Sequence, residues 1–133
     1  MINWGVIGFG RMGKTFANCF NKDNVDYELR GFASRSINKN ISLKRYESYN
    51  DLINSSEIDA IYISTLNNTH KDLVIKSLEK NKKVLCEKPL GLNFEEVKEI
   101  HDLIKDKKNI FFEAIAYRSH PQTKKLLEIL KDQ

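Results

Sequence analysis

Three glycines, Gly8, Gly10 and Gly13, stand at the spacing G-x-G-x-x-G within Asn3 to Gly13, NWGVIGFGRMG. Such a triplet does its chemistry through the backbone. Gly8 permits a tight turn out of a strand, Gly10 lets main chain approach a pyrophosphate, and Gly13 lets the following helix pack close to that strand. The helix start then offers N–H groups and a partial positive charge to the phosphates. Three glycines near a turn also occur without a ligand, so the context decides. Here an apolar run (Trp4, Val6, Ile7) precedes the triplet, and Phe16, Ala17 and Phe20 follow it at helical spacing. The loop Gly8, Phe9, Gly10, Arg11, Met12 and Gly13 therefore reads as a dinucleotide cradle. A second segment bears on which dinucleotide it holds. An acid about 20 residues past the glycines holds the ribose 2′-hydroxyl in NAD sites. After Tyr27 to Ala33 this chain offers Ser34 and Arg35 instead, with Lys39 nearby. NADP is the expected cofactor, with NAD possible.

A cradle of this kind works only when a sheet carries it. Tyr27 to Ala33 (YELRGFA) reads as a second strand, followed by a short helix from Ser36 to Tyr46 and an extended piece at Ser48 and Tyr49. Asp59 to Ser64 (DAIYIS) is almost wholly apolar, the pattern of a strand covered on both faces of a parallel sheet. Asn68 to Lys80 puts Leu73, Val74 and Leu78 near one helical face, and Lys83 to Glu87 (KVLCE) is the next strand. Asn93 can cap a helix, with Glu96 three positions on and a buried stripe of Val97, Ile100 and Ile104. His101, at the edge of that stripe, reads as a core or boundary histidine rather than a ligand. Ile110 to Ala116 (IFFEAIA) is the sixth strand, and Pro121 to Leu130 a closing helix with proline in its first turn.

This alternation predicts an α/β fold, a doubly wound parallel six-stranded sheet of Rossmann type in the order 3-2-1-4-5-6, with right-handed crossovers. Ligands bind such sheets at the carboxyl ends of the strands. One rim should therefore carry Gly8 to Gly13, Ala33 to Arg35, Ser64 to His70, Glu87 to Pro89 and Ala116 to His120.

Composition narrows the function classes. The 133 residues suit one domain, residues 1–133, and 41% hydrophobic with 30% charged residues excludes the low-hydrophobicity bias of disorder. No apolar run approaches the roughly 20 residues of a membrane span, and no signal-peptide pattern opens the chain. A cytoplasmic protein without membrane partners is expected. Cys19 and Cys86 lack metal-ligand spacing and read as buried free thiols, so no metal site is expected. The net charge is +4, but the lysines are scattered. Several (Lys80, Lys82, Lys83, Lys105, Lys107, Lys108) fall at helix C-termini, where they complement the macrodipole. That distribution speaks for a solvated surface and against nucleic acid, while a modest positive field would help attract a phosphorylated cofactor.

The rim segments, read together, carry a resemblance. GFGRMG, ASRS, STLNNTH, CEKPL and EAIAYRSHPQ, in that order, resemble the glucose-fructose oxidoreductase / inositol dehydrogenase / rhizopine-catabolism (Gfo/Idh/MocA) family, nearest its dihydrodiol dehydrogenase branch. Two departures stand out. The family's T-P-N-x-x-H is Thr65, Leu66, Asn67, Asn68, Thr69, His70 here, with leucine in place of proline. Family members also carry a C-terminal α/β domain that this chain lacks.

The resemblance implies the nicotinamide-binding half of a two-domain reductase for a carbohydrate-like small molecule: a sugar, polyol or dihydrodiol. It implies that Lys88, after Glu87, sits beside the nicotinamide and the reacting oxygen, where an ammonium can hydrogen-bond a carbonyl and relay a proton. It implies that Thr65, Leu66, Asn67 and His70 line the ribose and diphosphate side. Tyr117, Arg118 and His120 could reach nicotinamide or substrate, or equally position the domain crossover. Residue by residue, the plainer alternatives are an exposed lysine before a turn proline and a structural histidine at a helix start. For the whole chain, the alternative is a dinucleotide-binding or sensor module without chemistry. Self-association, or a separate chain supplying the substrate domain, is the expected partnership.

Overall fold

The computed structural model describes residues 1–20, 26–36, 42–105 and 110–131. Its elements in chain order are β1 (Ile2–Ile7), α1 (Arg11–Ala17), β2 (Tyr27–Ala33), β3 (Lys44–Tyr46), α2 (Tyr49–Asn54), β4 (Ala60–Ile63), α3 (His70–Glu79), β5 (Lys83–Glu87), α4 (Phe94–Lys105), β6 (Phe111–Ala114) and α5 (Pro121–Lys131), with 3₁₀ turns at Asn67–Thr69 and Ala116–Ser119. Every strand pair is parallel, and the six strands run β3-β2-β1-β4-β5-β6. The expected doubly wound sheet is present in the expected order.

Apolar side chains alternate between the two faces of the strands, and each face has its own cover. On one face Ile7, Ile61, Ile63, Val84 and Cys86 pack with Leu52 and Ile53 of α2, Leu73, Val74 and Leu78 of α3, and Ile100 of α4. On the other, Val6, Phe32 and Tyr62 pack with Phe9 and with Phe16 of α1. Burial on both sides explains why β4 reads as the unbroken apolar run Ala60–Ile63, all four residues buried. Register brings Ile7 level with Ala33 and Ile63, so the first, second and fourth strands end together beneath the glycine loop.

Several local expectations are corrected. The helix expected from Ser36 to Tyr46 is absent where the chain is described: residues 37–41 lie outside the described residues, and Lys44–Tyr46 is the edge strand β3. Ser48 and Tyr49 are not an extended pair. Ser48 caps α2, accepting a hydrogen bond from Asp51 N at 3.0 Å while Asp51 Oδ2 accepts one from Ser48 N at 2.9 Å. The reciprocal cap makes a six-residue helix where an extended piece was expected. Cys86 is buried as expected but Cys19 is exposed, its Sγ directed at Thr15 O. His101 is exposed beside Asp102 instead of at a core boundary. Lys82 serves less as a dipole partner than as a strut, its Nζ donating to Ser55 O at 2.7 Å and Ile58 O at 2.6 Å; burial pulls its pKa down. Lys107 and Lys108 lie outside the described residues.

Candidate functional site

The three fingerprint glycines are needed for three different geometric reasons. Gly8 has φ +88°, and a Cβ on it would stand 2.7 Å from Ser64 O. Both facts exclude a side chain. A Cβ on Gly13 would run into the Gly8 carbonyl oxygen and crowd Val6 Cγ1 at 3.2 Å, so α1 lies as close to β1 as the helix backbone allows. Gly10 is the N-cap of α1 and contributes no side-chain cap; a Cβ there would meet nothing within 4 Å. Two glycines are required by the protein's own packing, whereas the third opens onto free space at the start of a helix. The first N–H groups of α1 have no acceptor within the helix, and a bound anion can supply it. Arg11 and Met12 are exposed beside this opening. Phe9 is not: it is 5% exposed, with its ring 4.3 Å from that of Phe32, so only its main chain belongs to the cradle.

Hydrogen bonds join the strand ends into a continuous rim. Gly8 N donates to Ala33 O at 2.9 Å, tying the β1 loop to the end of β2. Ser64 Oγ donates to Gly8 O at 2.7 Å, tying the β4 loop to the glycine turn. His70 is fully buried, with Nδ1 2.8 Å from Pro89 O and Nε2 3.3 Å from Thr65 O. It pins the loop after β4 to the loop after β5. Leu90 N donates to Glu113 Oε1 at 2.9 Å and ties the β5 loop to β6. His70 thus faces the carbonyls of the site loops, and its ring is shut away from the rim surface where Thr65, Leu66 and Asn67 lie. The loop itself is clasped by Thr65 Oγ1 and Thr69 Oγ1 at 2.7 Å and by Thr69 Oγ1 donating to Leu66 O at 2.7 Å.

Lys88 is exposed directly after β5, and its peptide bond to Pro89 is cis. Glu87 before it is half-buried and accepts a 2.6 Å hydrogen bond from Tyr62 Oη. Burial first and this bond second push the Tyr62 phenol above its ordinary range, so it stays a donor. Phe16 of α1 stacks on the Tyr62 ring, centroids 4.1 Å apart. Glycine helix, β4 and the Glu87–Lys88 strand end are thus in direct mechanical contact. Ser34 and Arg35 follow β2 at the rim, half-buried and exposed respectively; Lys39 lies outside the described residues. Arg118 lines an open groove of ≈ 680 Å³ together with Glu87, Leu85, Phe112 and Ala114. Tyr117 and His120 are exposed outside that lining, and His120 Nδ1 accepts from Gln122 N at 3.2 Å at the start of α5. Among the described residues no cluster of His, Cys, Asp or Glu could hold a metal ion. None of their helices is long and apolar enough to cross a membrane.

Reading from sequence gave Tyr62, Ser64 and Glu113 no role of their own, although Ser64 stands in the expected rim and Glu113 opens its last motif. A phenol inside an otherwise apolar strand was a visible signal for the first. The tasks of Ser64 and Glu113 lie with partners distant in sequence.

The geometry agrees with the comparisons to known proteins. Residues 2–115 match the model of GFO_IDH_MocA, the oxidoreductase family with an NAD-binding Rossmann fold. The chain belongs to the Gfo/Idh/MocA family. Within it, the chain is 30% identical over 138 residues to mouse trans-1,2-dihydrobenzene-1,2-diol dehydrogenase, covering 97% of this chain and 41% of that protein. It is 31% identical over 134 residues to myo-inositol 2-dehydrogenase of Thermotoga maritima, covering 96% and 40% respectively. Among solved structures it superposes on myo-inositol 2-dehydrogenase from Lactobacillus plantarum with a TM-score of 0.86 at 27% identity, over 98% of this chain and 41% of that one. This Gfo/Idh/MocA chain therefore spans about two fifths of the length of these relatives, the part that carries the Rossmann sheet.

Proposed function

We propose that this Gfo/Idh/MocA chain is the NADP(H)-binding half of an oxidoreductase that moves hydride to or from a sugar, polyol or dihydrodiol. The observation that carries the reading is Gly10: it alone of the three fingerprint glycines faces open space, a cradle that a Cβ would fill. The backbone from Gly8 to Gly13 would hold the pyrophosphate, with Arg11 and Met12 beside it. Thr65, Leu66 and Asn67 would line the ribose and diphosphate side, and His70 would hold that loop in place. Ser34, Arg35 and Lys39 would receive a 2′-phosphate, because no carboxylate follows β2 to bind a free 2′-hydroxyl.

A nicotinamide held by these residues would supply or accept the hydride. Lys88 hydrogen-bonds the substrate oxygen with its ammonium and moves a proton at that atom. Glu87, fixed by Tyr62, keeps the strand end under Lys88 in place, and Arg118 shares the adjoining groove. Relatives named for dihydrodiol and inositol dehydrogenation support a small polyhydroxylated substrate. The two free thiols fit a reducing cytoplasmic compartment. The alternative reading is a dinucleotide-binding module without turnover. In either case a separate substrate-domain chain or self-association would cover the remaining apolar surface.

Titrating the chain with NADPH and NADH separately, by fluorescence or calorimetry, tests the cofactor. Charged hydrogen bonds are worth about 1.5 to 3 kcal/mol, so NADPH should bind about ten- to a hundredfold more tightly. Equal affinities, or tighter NADH, would remove the preference; binding of neither would remove the cofactor assignment.

A further inference from the structure

We propose that Arg45 is a specificity-determining residue of the nucleotide site, completing with Ser34 and Arg35 a pocket for a phosphate monoester on the adenosine ribose. The inference rests on the reading of the rim as an NADP site and adds to it a residue that lies ten positions beyond Arg35 on a different strand. Register places it there. β3 pairs with β2 in parallel, Phe32 opposite Arg45 and Ala33 opposite Tyr46. In-register neighbours share a sheet face, so Arg45 stands on the face of Phe32, whose ring packs against Phe9 of the glycine loop. Tyr46 points to the opposite face.

The Arg45 side chain then turns toward the rim: its Nη2 donates to Ser34 O at 3.3 Å. Among the described residues this is its one side-chain hydrogen bond, and it uses one of five guanidinium donors. Glu57 is committed to the residues on either side of Arg45: it pairs with Lys44 and accepts from Tyr46 Oη at 3.2 Å. Among the described residues no carboxylate pairs with Arg45. Ser34 Oγ accepts from Ser36 N at 3.3 Å and keeps its own hydroxyl hydrogen to donate. An exposed guanidinium with no carboxylate partner among the described residues, a hydroxyl donor and the exposed Arg35 thus converge on one turn, Ala33–Ser36, that holds no acid. A phosphate monoester, dianionic and rich in acceptors, is the ligand that matches this donor set, and the guanidinium can take two of its oxygens at once.

The test compares four ligands, NADPH, NADH, 2′,5′-ADP and 5′-AMP, on the full chain and on Arg45→Gln, Arg45→Lys and the control Lys44→Gln, with thermal unfolding of each. Arg45→Gln should weaken NADPH and 2′,5′-ADP roughly tenfold and leave NADH and 5′-AMP within about twofold, with the unfolding midpoint unchanged. Arg45→Lys should recover part of the loss, and Lys44→Gln should change none of the four. If the unaltered chain binds NADPH preferentially and Arg45→Gln weakens all four ligands alike, or none, Arg45 is not the determinant and only this inference fails. If the unaltered chain binds no dinucleotide, or binds both equally, the NADP reading fails and the inference with it.

Discussion

Gly10 and Gly8 carry the same side chain for opposite reasons. At Gly8 the backbone is left-handed and the neighbouring strand end leaves no room, so glycine serves folding. At Gly10 the backbone is extended, φ −81° and ψ −153°, and the space is free, so folding places no demand on it. Gly10→Val should therefore abolish dinucleotide binding while leaving urea stability within about 1 kcal/mol, whereas Gly8→Ala should cost about 1–3 kcal/mol of stability. Calorimetric titration beside urea unfolding separates the two, and a Gly10→Val variant that binds NADPH normally would reduce the triplet to a turn. Cys86 leads to a prediction about pH. Burial first, then the Glu113 and Glu87 carboxylates, push its thiol up to about 12 from an ordinary value of 9.0. A raised pKa means stability that is complete below the unfolded value and lost as pH climbs toward the folded one. Tyr62, raised mainly by burial, acts in the same direction at still higher pH. The urea midpoint should fall between about pH 9 and 12, and Cys86→Ala should flatten that fall even though the smaller side chain lowers the midpoint at neutral pH. An unchanged slope would take the thiol out of the account.

At the scale of elements, the strand ends form a row of latches rather than independent loops: glycine turn to β2, Ser64 to glycine turn, His70 to both the Thr65 and Pro89 carbonyls, Leu90 to Glu113. The loop after β4 shows how a departure from the family pattern is absorbed. Leu66 sits at φ −75° and ψ 144°, a conformation that proline itself favours, and among the described residues its N–H donates to no backbone carbonyl. Leu66→Pro should therefore stabilise the chain by about 0.4–1 kcal/mol by restricting the unfolded state, read as a raised urea midpoint at unchanged slope; a loss of stability would mean that the loop needs the freedom leucine allows. Which elements were legible in the sequence follows from the same physics. β4 is apolar on both faces and the glycine triplet has a fixed spacing, so sheet order and the glycine turn could be read directly. β3 is three residues long with only Tyr46 directed into the core, too short a pattern to distinguish strand from helix. The capping pair Ser48 and Asp51 did carry a readable signal for α2. His70 could be located but its task could not, because both of its partners are main-chain carbonyls from loops that only the fold brings together.

For the whole molecule, the uneven cover of the sheet bears on what the chain can do alone. β1, β2 and β4 are packed on both faces, while toward the far edge Phe112 is 65% exposed and the groove beside it lies open. α5 makes its main contact with the 3₁₀ turn at Ala116–Ser119 and leaves Leu126, Leu127, Ile129 and Leu130 about half exposed. Exposed apolar side chains in such number mark an interaction face, and the turn on which α5 packs carries Arg118. A rim that fixes only the cofactor leaves the substrate unpositioned, and positioning accounts for about 7 to 11 kcal/mol of barrier lowering in well-oriented reactions. Water would also reach the reacting centre freely. The 133-residue chain should therefore bind NADPH yet show no appreciable NADPH oxidation with sugars, dicarbonyls or dihydrodiols, and should self-associate weakly at high concentration. Extending the chain by any downstream coding sequence, or adding a separate substrate-domain chain, should restore turnover that Lys88→Ala then removes. Robust turnover by the short chain alone, abolished by Lys88→Ala, would show that the Rossmann half suffices and that the open face serves another purpose.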